Sequence, residues 1–177
     1  MLERSSGKAL TEHELQQRAI RLVNDHKHVF VLCSSTDIDR LATFHKAAKE
    51  NDGSLLCDTY QKEILGIFTE TAGSYTDLYR FDKAYYFNTQ HEKQLELIKK
   101  GRCCILIRPS MPFEKICKMI SVFGSDKVFL IYSMWSGYIA EGKPYSKESY
   151  RELIKMFPEW EALHTRGHTD ISVFLSA

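Results

Sequence analysis

Two hydrophobic periods alternate along the chain. Behind Thr11, with Glu14 three residues on as a capping box, Leu15, Ala19, Leu22 and Val23 recur on one helical face, which predicts a helix to about Asp25. Residues 29–33 are then a continuous apolar run of strand formers, the pattern of a strand buried on both faces. Ser34, Ser35 and Thr36 supply cap candidates for a helix carrying Ile38, Leu41, Ala42 and His45 on one side. The same unit recurs as a strand at 55–57 with a helix at 60–71, a strand at 103–107 with a helix at 113–123, and a strand at 128–132 with a helix at 147–157. Such alternation predicts an α/β fold, a Rossmann-like three-layer domain with a mainly parallel sheet flanked by helices on both faces.

A tyrosine-rich stretch at 75–87 interrupts the pattern, with Ala84 to Phe87 as a further strand candidate and a helix at 92–99 that ends at Gly101. Residues 160–163 read as a last short strand, and Thr169 or Asp170 can cap a final helix bearing Ile171, Phe174 and Leu175. No internal repeat, low-complexity tract or dividing linker is visible, so the expected organisation is a loose segment at 1–10 and one α/β domain at 11–177. A chain of 177 residues, 44% of them hydrophobic, has enough apolar surface for such a core.

The formal net charge of +1 supplies no global attraction to nucleic acid, so any phosphate binding must come from a local cluster of donors. Five cysteines, an odd number placed mostly in apolar runs, suit reduced core thiols and a cytoplasmic setting better than a disulfide framework. Residues 1–8 hold no apolar signal core, and no uninterrupted apolar run approaches the ~18 residues of a membrane span.

In doubly wound sheets, ligands bind beyond the carboxyl ends of the strands, where helix N-termini direct unpaired N–H groups into a crevice. The corresponding loops here are rich in hydroxyls: Ser34, Ser35 and Thr36, then Ser110, Ser133 and Thr165. Each can serve as an ordinary helix cap; their concurrence is what points to an anion cradle. The densest chemistry is the run His164, Thr165, Arg166, Gly167, His168, which offers two imidazoles and a guanidinium for holding a phosphate and supplying a proton. Two histidines four apart lack a third ligand nearby, so a zinc site within this chain is not expected. Cys33 and Arg40 are separated by six residues, one more than a thiol phosphatase loop uses, and no glycine lies between them to let amides wrap a phosphate. Neither GxGxxG nor GxxxxGK[ST] occurs. Trp135 and Tyr138 come after the strand at 128–132, placed either to stack on a base or to anchor a loop or protein interface.

Four segments together resemble the β-CASP domain of metallo-β-lactamase-fold nucleases, the group that includes ribonuclease J and the pre-mRNA 3′-end endonuclease. They are residues 1–4 continuing to Thr11, Glu12, His13 and Glu14, similar to the segment after that family's EGT turn; Cys33 to Arg40 (CSSTDIDR); Ser133 to Tyr138 (SMWSGY); and His164 to His168 (HTRGH), similar to the HTSGH signature. The resemblance covers essentially the whole chain. It implies that His168 lies at an interface with a β-lactamase domain, near a dinuclear zinc site, and helps to handle the scissile phosphate as proton donor or transition-state contact. It makes His164, Thr165 and Gly167 phosphate contacts, with Arg166 standing where the family has serine, a change that favours charge-assisted binding over a hydroxyl contact.

The HxHxDH motif and the later metal ligands are missing, so the resemblance is to an insertion domain whose two zinc ions belong to the parent enzyme's other domain. The implied partners are that metallo-β-lactamase domain and single-stranded RNA, with no membrane, and the implied activity is RNA processing by a cytoplasmic hydrolase to which this chain contributes half of a cleft. Two alternatives stay open: a non-catalytic binding or oligomerisation module, such as a homodimer joined through Trp135 and Tyr138, and an unrelated Rossmann-like nucleotide binder.

Overall fold

The computed structural model describes residues 10–165. The first helix, α1 (Glu12–Asp25), begins at the Thr11 capping box and buries Leu15, Ala19, Leu22 and Val23. After it come β1 (His28–Leu32), α2 (Ile38–Glu50), β2 (Ser54–Cys57), α3 (Thr59–Glu70), β3 (Ala84–Tyr86), α4 (Glu92–Lys100), β4 (Cys103–Ile107), α5 (Phe113–Phe123), β5 (Val128–Tyr132), α6 (Glu148–Lys155) and β6 (Glu159–Ala162). Every strand pairing is parallel, in the order β3-β2-β4-β1-β5-β6. The fold is the expected Rossmann-like α/β arrangement of three layers.

Which face each helix covers is set by the order in which the strands are added. From β1 the chain moves through α2 and α3 toward the β3 edge, then reverses and travels through α4, α5 and α6 to the opposite edge. Parallel crossovers keep one hand, so reversing the direction of travel moves the helices to the other face. Accordingly Val29, Val31, Cys33, Cys104, Leu106 and Ile131 pack with α1, α2 and α3. Their alternates Phe30, Leu32, Cys103, Ile105, Ile107, Leu130 and Tyr132 pack with α4, α5 and α6. The three central strands are buried along their full length, which explains their unbroken apolar runs.

The tyrosine-rich stretch forms two 3₁₀ turns and the edge strand β3. Phe81 and Phe87 are its buried anchors, whereas Tyr75, Tyr85 and Tyr86 face outward. Cys33, Cys57, Cys103 and Cys104 are free and buried, and Cys117 is free and exposed. Burial pushes the Cys33 thiol up to about 12, which keeps it protonated and a poor nucleophile. Among the described residues no helix is long and apolar enough to cross a membrane. The final helix expected after Thr169, and the segment at 1–9, lie outside the described residues.

Ile105 is fully buried in β4 at the centre of the sheet. Ile105→Ala should cost about 2–5 kcal/mol through the lost transfer energy and the cavity left behind. Urea denaturation is expected to show a lower midpoint with an unchanged slope.

Candidate functional site at the carboxyl end of the sheet

At the carboxyl end of β1 the connection leads to α2 on one face, while both neighbouring strands, β4 and β5, lead to α5 and α6 on the other. A crevice opens where adjacent connections diverge in this way. Arg40, in the first turn of α2, lies there with only 3% of its surface exposed. It shares the inward face of α2 with Phe44 and Ala47, four and seven residues on.

A guanidinium stays charged in a protein, so its burial requires partners. The Nη2 of Arg40 donates to the Thr165 hydroxyl at 2.9 Å and to the Glu12 carboxylate at 3.1 Å, and Nη1 reaches the Ser133 hydroxyl at 3.5 Å. Thr165 in turn donates to Glu12 at 2.7 Å, and Ser133 donates to the Leu163 carbonyl at 2.7 Å. The start of α1, the first turn of α2, the exit of β5 and the exit of β6 thus meet on one side chain. Asp37 stands 4.0 Å from Arg40 Nε, too far for a hydrogen bond.

Three polar atoms of this crevice are buried without a hydrogen-bond partner: Arg40 Nε, the Ser35 hydroxyl and His164 Nδ1. Buried polar groups are ordinarily satisfied, so orphans on Arg40, on the loop that leads to it and on the exit of β6 mark a place where a further polar group fits. Burial first, then the Arg40 charge, lower the pKa of His164, while Asp37 and Glu12 act the other way. A neutral imidazole beside a guanidinium can accept a proton as well as donate one.

The hydroxyls expected to form one cradle are divided between two clusters. Ser133 and Thr165 bond to Arg40 and His164 feels its charge, while Ser35 is buried in the loop between β1 and α2 that leads to it. Ser34 and Thr36 bond to each other at 2.9 Å in a local turn of the same loop. None of the three loop hydroxyls caps α2, contrary to expectation; that role falls to Asp37, whose carboxylate accepts the Arg40 amide. Asp takes the position because a β1–α2 loop of this length puts residue 37, not 34–36, three residues ahead of the amide to be capped.

Ser110 belongs to the second cluster, where it accepts from Arg108. Arg108 Nε also donates at 2.8 Å to Asp58, which is 3% exposed and caps α3 through Gln61. Tyr60 lies under the Arg108 guanidinium at 5.3 Å. Gln61 is fully buried, and its Nε2 has no partner. Sequence reasoning passes over Glu12, Asp58, Gln61 and Arg108 as site residues and treats Arg40 only as the end of a motif. A charge on the apolar stripe of α2 is the available signal for Arg40.

Trp135 is half exposed and packs edge-on against Tyr138, with ring centres 5.3 Å apart. Tyr138 continues through Tyr150 to the buried Tyr132, so the aromatic run anchors its loop to the core. Gly137 is required by this packing, because a Cβ there would meet the Trp135 ring at 2.5 Å. Arg166, Gly167 and His168 lie outside the described residues.

No model of a known protein family matches the chain, and no curated protein matches it in sequence.

Two outcomes are expected here. Arg40→Met should lower stability by about 1–3 kcal/mol, because the Ser133 and Thr165 hydroxyls lose the donor they accept from and Glu12 loses its counter-charge, while the two hydroxyls keep their own acceptors. Arg40→Lys should not restore it, since an ammonium cannot span these partners as a fork does; chemical denaturation reads both. Burial lowers the pKa of His28, His45 and His164 in the folded chain. The unfolded chain therefore binds more protons below the ordinary imidazole value of about 6.5. Stability should be fully present above that value and fall as pH drops through and below it, with a shallower fall after His45→Gln, measured by thermal unfolding across pH.

Proposed function

We propose that this chain is the β-CASP portion of a zinc-dependent metallo-β-lactamase-fold hydrolase, an RNA-processing nuclease, and that it carries phosphate-contacting residues into an inter-domain cleft. The observation that supports this most is the under-satisfied crevice around Arg40, which opens beside the first two residues of the HTRGH segment. An arginine serving only as a structural bolt would be expected to have its neighbourhood fully paired. Here a guanidinium nitrogen, a hydroxyl and an imidazole nitrogen lack partners, a donor set suited to a phosphoryl oxygen.

The 2.7 Å bond between Glu12 and Thr165 brings the start of α1 beside the segment after β6, an arrangement that suits an inserted domain. Among the described residues no group of three or more His, Cys, Asp or Glu is placed to hold a metal ion. In this reading both zinc ions sit on the metallo-β-lactamase domain, and this chain's part is to bind and orient phosphate and, through His168, to move a proton.

The test uses the full-length protein that contains this chain. His168→Ala should reduce turnover of a single-stranded RNA by roughly 10² while leaving the unfolding temperature unchanged. Wild-type turnover in that variant would refute the role. A second measurement separates the oligomerisation reading: salt-sensitive RNA binding by the chain supports the proposal, whereas a stable dimer with no RNA binding overturns it.

A further inference from the structure

We infer that the opposite, amino-terminal end of the sheet carries a second anion site, a pocket for a phosphoryl group built from Lys27, His28, Lys99 and Lys127. The pocket encloses about 460 Å³ and is completed by Val122 and Phe123 at the end of α5. Its three lysines come from three separate places: the lead into β1, the last turn of α4 and the lead into β5. None of the lining residues is acidic. Among the described residues none of these lysines forms an ion pair or a side-chain hydrogen bond, although other lysines of the chain do.

His28 is the second, independent observation. It is the first residue of β1, it lines the pocket, and it is only 6% exposed; neither ring nitrogen makes a well-formed hydrogen bond, although the carbonyls of Lys99, Gly101 and Ile98 lie close to the ring. Phe123 packs against one side of its ring at 4.4 Å. An imidazolium there would have these acceptors nearby but faces repulsion from the three lysines of the cavity until an anion is present.

The simpler account is that cations gather at helix C-termini to complement the negative end of each helix. That explains Lys99, in the last turn of α4. It does not explain why three such lysines, from separate segments, line one cavity together with a buried imidazole.

The lining sets the ligand chemistry. Three ammonium groups and one imidazole match a multiply charged oxyanion, and the volume is that of a small-molecule site. Phe123 is only 7% exposed and already lies against His28, Phe30 and Phe87, so it offers no free ring face to a base. Recognition is therefore of the phosphoryl group, whether free as pyrophosphate or borne by a nucleotide.

Titrating the chain with pyrophosphate, ADP and adenosine, monitored by calorimetry and by the amide shifts of Lys27, His28, Lys99 and Lys127, separates these sources. Binding of pyrophosphate alone assigns a free anion, and binding of both phosphorylated probes but not adenosine assigns a phosphoryl group on a carrier. Lys27→Ala and Lys127→Ala change exposed side chains and should each weaken binding about tenfold without loss of fold.

The groups facing His28 are the cations Lys27, Lys99 and Lys127, the thiol-bearing Cys103 paired beside it, and the carbonyls of Lys99, Gly101 and Ile98. A bound anion favours the imidazolium, so affinity should rise as pH falls toward and below about 6.5 more in the parent chain than in His28→Phe. Comparing the two profiles removes the probe's own ionisation. Equal binding of adenosine and ADP, shifts confined to Arg40 and Arg108, unchanged affinity in the lysine variants, or no binding of any probe would each overturn the site.

Discussion

A guanidinium cannot shed its charge to enter a protein interior, and the carboxyl end of this sheet is organised around that constraint. Arg40 is buried at the first turn of α2, and the groups that compensate it come from segments far apart in sequence: Glu12, Ser133 and Thr165. Holding them fixes the start of α1 against the end of β6. It also anchors the start of the HTRGH segment, since Thr165 is both a partner of Arg40 and the second residue of that segment. Compensation is incomplete, because Glu12 remains largely exposed and Nε is unpaired. The same side chain therefore locks the local structure and retains capacity for another acceptor.

The reversal of chain direction after β3 gives the sheet its division of labour. It sends neighbouring connections to opposite faces at β1/β4 and β1/β5, and also at β2/β4, where the Asp58 and Arg108 pair sits. Two arginines with hydroxyl partners thus occupy two adjoining crevices at one end of the sheet. The buried Asp58 is shared between Arg108 and Lys115, whereas Arg40 is faced by two half-exposed carboxylates, Glu12 and Asp37. The Arg40 crevice is therefore not set apart by formal charge; its buried polar atoms without partners are what favour it as the place for a phosphate.

Much of the architecture is legible because it is written in periodicity. The unbroken apolar runs of β1, β4 and β5 announce burial on two faces, and the Thr11 capping box marks the start of α1. β3 is harder to read: it is three residues long, lies at an edge and exposes two tyrosines, so neither alternation nor an apolar run identifies it. The α2 cap is ambiguous in sequence because four successive residues, Ser34 to Asp37, all have capping side chains, and only the loop path selects among them. Site chemistry is less legible still. Hydroxyl-rich loops are visible, but whether Ser110 and Ser133 share a crevice depends on strand order, which no local pattern contains. Arg40 is signalled only by its place on the stripe of Phe44 and Ala47, which shows burial but not the partners that meet it there.

The two ends of the sheet differ for a reason that precedes any function. Helix N-termini converge at the carboxyl end, where Thr11, Asp37 and Asp58 cap them and partly cancel the favourable field for anions. Helix C-termini converge at the amino end, where the field favours cations, and lysines placed there lower their own energy without needing carboxylate partners. That end thereby accumulates positive charge that the fold stabilises but does not neutralise. With a chain-wide net charge of only +1, such a patch cannot reflect general basicity. His28 converts the patch into a pocket: an imidazole at the base of a strand, next to the last carbonyls of α4, can remain neutral when the cavity is empty and charge when an anion enters. The same dipole geometry that places a phosphate-seeking crevice at one end of a parallel sheet can, through the lysines it attracts, build a second anion site at the other.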